Sequence, residues 1–442
     1  MVEVAGTLGK LKSFKALVAG DFFLDTYTIG KARRISPEAP VAIIHAQETT
    51  HLPGGAGNVI LNLIALGGEV VAFGRTGKDA SGQILMAELE ESGAMLHGLF
   101  VEDGYPTGIK NRVIANNQQI VRIDHEVATP LSKHLEKKAM EQLPSLIQEV
   151  DIVAISDYAK GFLSRPLLQE IIRLSNERNI PIIADPKGTD FTKYKGVTVI
   201  KPNFGEAVAA AGLGSEAPLE RMASVILNQA DAKYLMITRS EEGITIFQRD
   251  GTRYDFPVRI REIKDVTGAG DTVLATLTCA LASDLPISSA AHLCNIAAGI
   301  AIERFGCACV TLADIAQRAL DEDIDDKVFE EEHLFALEHI LENRRFIVLG
   351  FEAGQYLTTE IFREIRNLAS NKERDILVYL REQEPSKDFI DLIASLHDVR
   401  YIIVHGESLR KFCEKIPPEE VYIARNNKVL PLDHAKALLY TV

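Results

Sequence analysis

Short aliphatic runs alternate with longer amphipathic segments along the chain between residues 15 and 248. The runs lack polar alternation, which is typical of strands buried on both faces of a parallel sheet. The segments between them place apolar residues at helical spacing. This order predicts a doubly wound α/β sheet. The predicted strands are Lys15–Asp21, Val70–Phe73, Ile152–Ser156, Ile180–Ala184, Val197–Ile200, Tyr234–Thr238 and Ile244–Gln248, and the predicted helices are Ala80–Ser92, Arg165–Arg178 and Leu219–Gln229.

Three further runs, Val41–Ala46, Ile109–Ala115 and Gln119–Asp124, predict a small separate sheet because they are rich in residues that favour strands. Asn116 and Asn117 join the last two runs as a hairpin. We expect this sheet to cover the strand-end cleft of the main sheet as a lid that excludes water. Its free edges can pair with a second copy of the chain, so we expect a homodimer through the lid strands.

The chain becomes strongly acidic from Leu320 to His333, and such a charge run is usually a solvated linker or helix face. We therefore predict a first domain at residues 1–320, a linker at residues 321–340 and a second domain at residues 341–442. Apolar runs that alternate with helical segments predict a smaller, Rossmann-like α/β fold for the second domain. Its predicted strands are Phe346–Gly350, Ile376–Leu380, Tyr401–His405 and Val421–Ala424.

The composition argues against several classes of function. A formal net charge of −14 disfavours non-specific binding to nucleic acid or to anionic membranes. The most apolar region, Val273–Ile302, is interrupted by polar residues and does not predict a membrane span. Five cysteines without paired metal-binding spacing, and an N-terminus without a signal-peptide pattern, favour a reducing cytoplasm. Because the chain as a whole is negatively charged, a phosphorylated ligand must be held by a local cluster of basic residues.

The strongest chemical signal is Asp265–Asp271, read as Asp-Val-Thr-Gly-Ala-Gly-Asp, which runs into a helical pattern at Thr272–Ser283. Gly268 and Gly270 allow a tight turn that points successive N–H groups into one small space. The positive end of the helix dipole adds to this space, which therefore suits a phosphoryl group in transfer. Asp271 beside such an anion hole is a candidate general base. The alternative is a glycine turn in which Asp271 caps the helix.

Polar residues also follow other predicted strands, at the edge where ligands of open α/β sheets bind. Asp21 and Asp25 come after the first strand, and the alternative for each is a turn-forming role. The glycines of Pro53–Asn58, Gly55 among them, let a ligand approach the backbone closely. Asn58 offers both a donor and an acceptor to sugar hydroxyls, and its alternative role is to cap the helix that follows.

Two further strand ends are candidate metal and nucleotide sites. Asn203 and Glu206 stand three residues apart and can together orient the waters of Mg²⁺. The alternative for this pair is a helix N-cap completed as a capping box. The polar turn that contains Thr238, Ser240 and Gly243 can present hydroxyl and N–H groups to nucleotide phosphates, and its alternative is an ordinary hairpin loop.

Taken in order, Gly-Gly-Ala-x-Asn, Asn-x-x-Glu and Asp-x-Thr-Gly-Ala-Gly-Asp resemble the motifs of the ribokinase-like (pfkB-type) carbohydrate kinases. Longer strings resemble the kinase half of a bacterial family of bifunctional enzymes, over about residues 10–320. That kinase phosphorylates D-glycero-β-D-manno-heptose 7-phosphate on its anomeric hydroxyl, on the route to the lipopolysaccharide core. In many members a second domain then adenylylates the product. The strings are Arg34–Val41, Asn117–Gln119, Ser156–Gly161 and Asp185–Asp190.

The resemblance implies ATP and Mg²⁺ as cofactors and a role for each candidate residue. Asp271 would be the catalytic base, with Gly268, Ala269 and Gly270 as the anion hole. Asn203 and Glu206 would lie near Mg²⁺ and phosphate. The implied ligands of the sugar hydroxyls are Asp21, Asp25, Gly55 and Asn58. The phosphate of the sugar needs charge-assisted donors, for which the candidates, each alternatively a surface cation, are Arg34, Arg112, Lys160 and Lys187.

The second domain lies where that family carries its nucleotidyltransferase, and Arg345–Phe351 resembles the first strand of that domain. The family's His-x-Gly-His string should follow, but Glu352–Thr358 contains no histidine. His397, His405 and His434 stand singly and do not replace it. We therefore expect that adenylyl transfer is lost and that this domain serves structure, oligomerisation or regulation.

Two rival functions remain open. The first is a different pfkB-type kinase that acts on a nucleoside, on ribose or on fructose 6-phosphate, since the motif at Asp271 is common to all of these. The second is a non-catalytic sugar-sensing scaffold built on a kinase fold, against which the intact Asp271 and its glycines speak.

Overall fold

The computed structural model describes residues 7–116, 118–257, 263–321, 327–329, 337–338, 341, 344–370, 374–381, 385–396, 398–404, 414 and 416–432. The chain divides into two compact units, of which one is residues 12–311 and the other is residues 312–442 with residues 1–11. Most of the predicted acidic linker lies outside the described residues, so the linker and the domain bounds remain predictions. Four further residues that the sequence analysis names also lie outside the described residues, and they are Asn117, His397, His405 and His434.

Strands and helices of the larger unit alternate in the predicted way. Its strands are β1 (Lys15–Gly20), β2 (Phe22–Ile35), β3 (Ala42–Gly55), β4 (Glu69–Gly77), β5 (Met95–Glu102), β6 (Gly108–Ala115), β7 (Gln118–His125), β8 (Ile152–Ser156), β9 (Ile182–Asp185), β10 (Val199–Ile200), β11 (Tyr234–Thr238), β12 (Ile244–Gln248) and β13 (Arg253–Phe256). Its helices are α1 (Ala56–Ala65), α2 (Ala80–Glu91), α3 (Lys133–Gln148), α4 (Arg165–Glu177), α5 (Phe204–Ala211), α6 (Leu219–Ala230), α7 (Ala269–Ala282) and α8 (Ile287–Ile302).

Nine of these strands form the main sheet, in the order β13-β12-β11-β10-β9-β8-β1-β4-β5. Neighbours pair in parallel, except that β12 runs antiparallel to both β11 and β13. The chain leaves β1 for β4 on one side and returns later to β8 on the other side. The carboxyl ends of β1 and β8 therefore flank the crevice where ligands of such sheets bind. The predicted doubly wound α/β architecture is confirmed.

The central strands are buried because both of their faces are covered. Leu17 and Val153 point into a core shared with helices α3 and α4. Their neighbours in sequence, such as Val18, are equally inaccessible to solvent. Helix α1 contacts β1 and β8, helix α7 contacts β8 and β9, and the two helices contact each other. Since α7 begins at the motif that contains Asp271, this packing fixes the candidate base against the centre of the sheet.

The predicted lid is a four-stranded sheet with the order β3-β2-β6-β7. The hairpin of β6 and β7 is confirmed, because the two strands pair antiparallel. The lid is larger than its sequence predicts. Strand β2 is additional, and β3 extends to Gly55. Of the glycines in Pro53–Asn58, Gly54 and Gly55 are therefore strand residues and Gly57 lies in helix α1. Asp25 consequently lies within lid strand β2, where it pairs with Leu52, instead of at the end of β1.

Several elements of the larger unit are absent from the prediction, and physical reasons explain why. Strand β5 is an edge strand, and His97 and Gly98 interrupt its apolar pattern. Helix α3 is rich in charged residues and contains Pro144, yet Ser132 caps it by accepting the N–H of Leu135. Tertiary packing of a narrow apolar face, and not helical propensity, stabilises such a helix.

The smaller unit is a second α/β fold, as predicted. Its strands are β14 (Val328–Phe329), β15 (Phe346–Phe351), β16 (Asp375–Leu380), β17 (Tyr401–Val404), β18 (Glu420–Arg425) and β19 (Lys428–Leu432), and its helices include α9 (Leu312–Asp321), α10 (Thr359–Leu368) and α11 (Lys387–Ala394). The strand order is β14-β17-β16-β15-β18-β19, with only β19 antiparallel among the described strands. The four predicted strands correspond to β15, β16, β17 and β18.

Two features of the described residues bear on the composition. No described helix has both the length and the apolar content to cross a membrane. The described cysteines carry free thiols, and they are Cys279, Cys294, Cys307 and Cys309.

Candidate active site

Gly268 sets the geometry around the candidate base. Its φ of 79° lies in the left-handed region, and helix α7 begins at the next residue. A Cβ atom at this position would lie 2.7 Å from Nδ2 of Asn58. Only glycine therefore allows α1 and the start of α7 to approach this closely. Asp271 falls in the first turn of α7, so the alternative in which it caps the helix is wrong, because the N-cap is Gly268.

The carboxylate of Asp271 is buried and has a fixed donor on each oxygen. Nδ2 of Asn58 donates to Oδ2 (2.9 Å), and the hydroxyl of Tyr158 donates to Oδ1 (2.8 Å). Asn62 in turn donates to Oδ1 of Asn58 (3.2 Å), which holds the amide in this orientation. Burial raises the pKa of Asp271 to about 7, against the lowering effect of the two hydrogen bonds. A carboxyl with such a pKa is suited to accept a proton near neutral pH.

The start of α7 also provides positive potential. The first N–H groups of a helix have no intrahelical acceptor, and the helix dipole places partial positive charge there. The buried ammonium of Lys201 is close, since a Cβ at Gly270 would lie 3.9 Å from Nζ. Lys201 also forms an ion pair with Asp185 (2.9 Å). The segment Gly268–Gly270 thus lies next to the carboxylate of Asp271 and near a buried cation, and its role as an anion hole remains a prediction.

Asp21 organises the loop that carries Tyr158. Its carboxylate accepts backbone N–H groups from Tyr158 (3.0 Å) and Lys160 (2.9 Å). Burial raises the pKa of Asp21 in spite of these bonds, and the neighbouring Asp157 adds to the rise. The structure therefore gives Asp21 a structural role after β8, and direct contact with a sugar hydroxyl remains a prediction.

Asp25 and Gly55 lie where the lid meets the main sheet. Asp25 is buried and accepts a hydrogen bond from Arg112, and the thiol of Cys307 lies 3.6 Å from its other oxygen. Gly55 has a φ of 57°, and a Cβ there would lie 2.5 Å from the ring of Phe23. This glycine thus permits close packing, and its contact with a ligand remains a prediction.

The four basic candidates for the sugar phosphate are placed differently. Arg112 belongs to the buried pair with Asp25. Lys160 forms an ion pair with Glu126 (2.5 Å), and Lys187 forms one with Glu206 (2.7 Å). Arg34 is exposed near the end of β2, opposite Ile43 of β3. Their roles as phosphate ligands remain predictions.

Asn203 and Glu206 adopt the alternative arrangement. Asn203 accepts the N–H of Glu206 (2.9 Å) and Glu206 accepts the N–H of Asn203 (3.0 Å), which is a capping box at the start of α5. Among the residues that the structure describes, no cluster of three or more His, Cys, Asp or Glu side chains is placed to hold a metal. A magnesium site held through water is compatible with these oxygens and remains a prediction.

The turn with Thr238, Ser240 and Gly243 also shows its alternative form, a hairpin between antiparallel strands β11 and β12. Thr238 nevertheless forms a parallel bridge with Asn203, so the two candidate segments are neighbours at the same edge of the sheet. The turn therefore lies beside the capping box, and its contact with nucleotide phosphate remains a prediction.

Sequence reasoning assigns no role to Tyr158, Lys201 or Asp185, although Tyr158 and Asp185 lie in the strings that carry the resemblance and all three residues contribute to the site. Each lies at the carboxyl end of a strand, which is the signal that points to ligand contact in such sheets. Their chemical context depends on contacts with distant segments of the chain, and local patterns do not reveal those contacts.

A buried carboxylate lies beside the positive end of a helix, at the switch point of a doubly wound sheet, and this arrangement is compatible with phosphoryl transfer. Solved structures share the fold of the larger unit. Phosphofructokinase-2 from Escherichia coli in complex with potassium has a TM-score of 0.58 and 19% identity over 69% of this chain and 98% of its own. Ribokinase from Arabidopsis thaliana complexed with ribose and ATP has a TM-score of 0.54 and 17% identity over 70% and 99%.

Sequence comparisons then identify the family. The profile described as pfkB family carbohydrate kinase matches residues 18–313, so the chain belongs to this family. This protein is an ATP-dependent sugar kinase. Among curated relatives, bifunctional protein HldE of Trichlorobacter lovleyi is 43% identical over 329 residues, which cover 74% of this chain and 67% of the relative. Bifunctional protein HldE of Citrifermentans bemidjiense is 40% identical over 435 residues, which cover 94% and 89%.

Proposed function

We propose that this kinase transfers the γ-phosphoryl group of ATP to the anomeric hydroxyl of D-glycero-β-D-manno-heptose 7-phosphate and forms the 1,7-bisphosphate. The similarity to bifunctional HldE proteins over most of the chain supports the choice of substrate. The observation that carries the proposal is the buried Asp271, held between Asn58 and Tyr158 next to the start of α7.

In the proposed reaction, Asp271 accepts the proton of the sugar hydroxyl while the sugar oxygen attacks the γ-phosphorus. The bond between that phosphorus and the bridging oxygen breaks, and ADP leaves. N–H groups of Gly268–Gly270 and the ammonium of Lys201 stabilise the negative charge on the phosphoryl group. Asp25, Asn58 and the backbone at Gly55 position the sugar hydroxyls.

Asn203 and Glu206 would hold Mg²⁺ through its water shell, because carboxylate and amide oxygens are the donors that this ion prefers. The ion would neutralise charge on the phosphates of ATP. Lys187 forms an ion pair with Glu206, and Asp185 interacts electrostatically with both residues. Acidic and basic side chains therefore lie together around Glu206. Thr238, Ser240 and Gly243 would contact the nucleotide phosphates from the neighbouring turn.

A coupled assay of ADP release against a panel of acceptors tests the proposed substrate. The panel contains the heptose 7-phosphate, ribose, fructose 6-phosphate and a nucleoside, and phosphorus NMR identifies the position that is phosphorylated. We expect the highest kcat/KM with the heptose and a phosphate on its anomeric carbon. Preference for another acceptor would support a different pfkB-type kinase, and absence of ADP release with every sugar would support a sugar-sensing scaffold.

We also propose that the smaller unit has lost adenylyl transfer. The segment after β15 contains no histidine, and its first residue, Glu352, accepts hydrogen bonds from Arg425 at the end of β18. Gln355 donates to Asn427 (3.2 Å) in the same place. Side chains thus pair with one another at the strand ends where that family's catalytic histidines would stand. Formation of ADP-heptose from heptose 1-phosphate and ATP by the full chain would contradict this proposal.

A homodimer through the lid is the proposed assembly. β7 is an edge strand of the lid and exposes apolar side chains, among them Val121 and Ile123. We expect light scattering to give twice the chain mass of 48.6 kDa, and the double substitution Val121→Lys and Ile123→Lys to give the mass of a monomer. The matched control is Val101→Lys, which alters an exposed residue of β5 and should leave the mass doubled. A monomeric unsubstituted chain would contradict the proposed dimer.

A further inference from the structure

Tyr158 connects the base to the lid. Its hydroxyl donates to Oδ1 of Asp271 at 2.8 Å. Burial raises the pKa of this phenol well above its ordinary value, and the charge of Asp271 adds to the rise. The hydroxyl therefore stays protonated and remains a donor at any pH at which the protein functions. Since Oδ2 is held by Asn58, the Tyr158 bond determines where the remaining lone pairs of Asp271 point.

The lid contacts the other end of the same side chain. The ring of Phe23, on β2, meets the ring of Tyr158 edge to face, with centroids 5.1 Å apart and planes at 79°. The ammonium of Lys110, on β6, lies 4.1 Å from the centre of the Phe23 ring and 5.1 Å from that of Tyr158. Burial lowers the pKa of Lys110, and the nearby carboxylates of Glu126 and Asp25 oppose that effect. Side chains from lid strands β2 and β6 thus pack on the ring of Tyr158.

The backbone of Tyr158 lies instead in the segment that follows strand β8 of the main sheet. Its N–H donates to Asp21, directly after β1, so the main chain of this residue is fixed independently of the lid. The side chain is held by the lid at the ring and by Asp271 at the hydroxyl. A shift of β2 or β6 would therefore move the ring and the hydroxyl of Tyr158, while its main chain stays in place.

We propose that Tyr158 is a positioning residue through which the lid controls the catalytic base. The phenol orients the Asp271 carboxylate and keeps it ionised when Phe23 and Lys110 are packed on its ring. This inference rests on the proposed role of Asp271. It assigns to the lid a second task besides the exclusion of water, because the base is fully oriented only under a closed lid.

The pH dependence of kcat/KM tests the first part of the proposal. The other groups that face Asp271 are Asp185, Lys201 and the thiol of Cys307. Because the base must be deprotonated, kcat/KM of the unsubstituted enzyme should fall about tenfold per pH unit below pH 7. Tyr158→Phe removes a hydrogen bond to the charged form, so the fall should begin about one pH unit higher. An unchanged acid limb in Tyr158→Phe would overturn the proposal.

Tyr194→Phe is the matched control. Tyr194 is also buried, and its hydroxyl donates to the carboxylate of Asp157, the residue directly after β8, at 2.6 Å. The substitution removes the same atom from a neighbouring carboxylate that does not serve as the base. We expect a lower melting temperature and an unmoved acid limb. A shift as large as that of Tyr158→Phe would show that general loosening moves the limb and would overturn the proposal.

Phe23→Leu tests the coupling to the lid, because it keeps an apolar side chain and removes the edge-to-face contact. The acid limb should shift in the same direction as in Tyr158→Phe and by a smaller amount. An acid limb identical to that of the unsubstituted enzyme would contradict the coupling.

Asp271→Asn distinguishes failure of the proposed function from failure of this inference. Undiminished turnover in that variant would refute the proposed function itself, whereas an inactive variant with an unmoved Tyr158→Phe limb would refute this inference alone.

Discussion

Replacement of Asp271 by asparagine should lower kcat by about 10²–10⁴-fold, because the amide cannot accept the proton of the sugar hydroxyl. The substitution is nearly isosteric. Asn58 and Tyr158 donate to different oxygens of Asp271, so the amide oxygen can accept from Asn58 while the amide N–H donates to the hydroxyl oxygen of Tyr158. The start of α7 should therefore keep its shape. Initial rates of ADP release at saturating ATP and sugar phosphate provide the measurement, and calorimetric titration with ATP reports binding.

ATP should bind Asp271→Asn with an affinity close to that of the unsubstituted enzyme. Asp284→Asn is a suitable control, because Asp284 follows the same helix and is exposed in an ion pair with Lys12. That control should retain full turnover. A rate for Asp271→Asn within a factor of about three of the control would remove the role of general base from this residue.

Lys201→Met should have the second-largest effect, on both stability and rate. Lys201 is buried, and its ammonium pairs with Asp185, whose side chain is only 20% exposed. Loss of one partner of a buried pair leaves an uncompensated charge, which costs on the order of 3 kcal/mol in the free energy of unfolding. Turnover should fall about 10²-fold, since a cation next to the anion hole is lost. Urea unfolding and ADP release measure the two effects.

The double variant Lys201→Met, Asp185→Asn separates these two effects. Removal of both charges should restore most of the lost stability, because neither partner is then left charged without compensation. The rate should stay low, since the positive charge near Gly270 is still missing. Recovery of turnover together with stability would show that Lys201 acts only through the fold, and would contradict its proposed contact with the phosphoryl group.

The sequence predicts the turn at Gly268 and the helix that follows it well, because their signals are local. Two glycines before a helical pattern specify both the turn at Gly268 and the position of Asp271 in the first turn of α7. The capping box of Asn203 and Glu206 is local in the same sense, and it appears as the stated alternative. Where one short pattern supports a cap and a ligand site alike, only tertiary contacts or a bound ligand distinguish the two.

Tyr158 and the long strands of the lid show what local patterns leave out. The bond between Tyr158 and Asp271 joins residues 113 positions apart, and no spacing rule connects them. Strand β2 mixes apolar residues at one end with charged residues at the other, because it leaves the protein interior as it enters the lid. Register with β3 and β6, and not periodicity within β2, makes it a strand.

A crystal structure with the heptose 7-phosphate and a non-hydrolysable ATP analogue would test the central claim most directly. The account predicts that the anomeric oxygen lies within about 2.6–3.2 Å of a carboxylate oxygen of Asp271. It also predicts that the γ-phosphate faces the N–H groups of Gly268–Gly270. A sugar bound with every hydroxyl beyond hydrogen-bond reach of Asp271, while the γ-phosphate points elsewhere, would contradict the account.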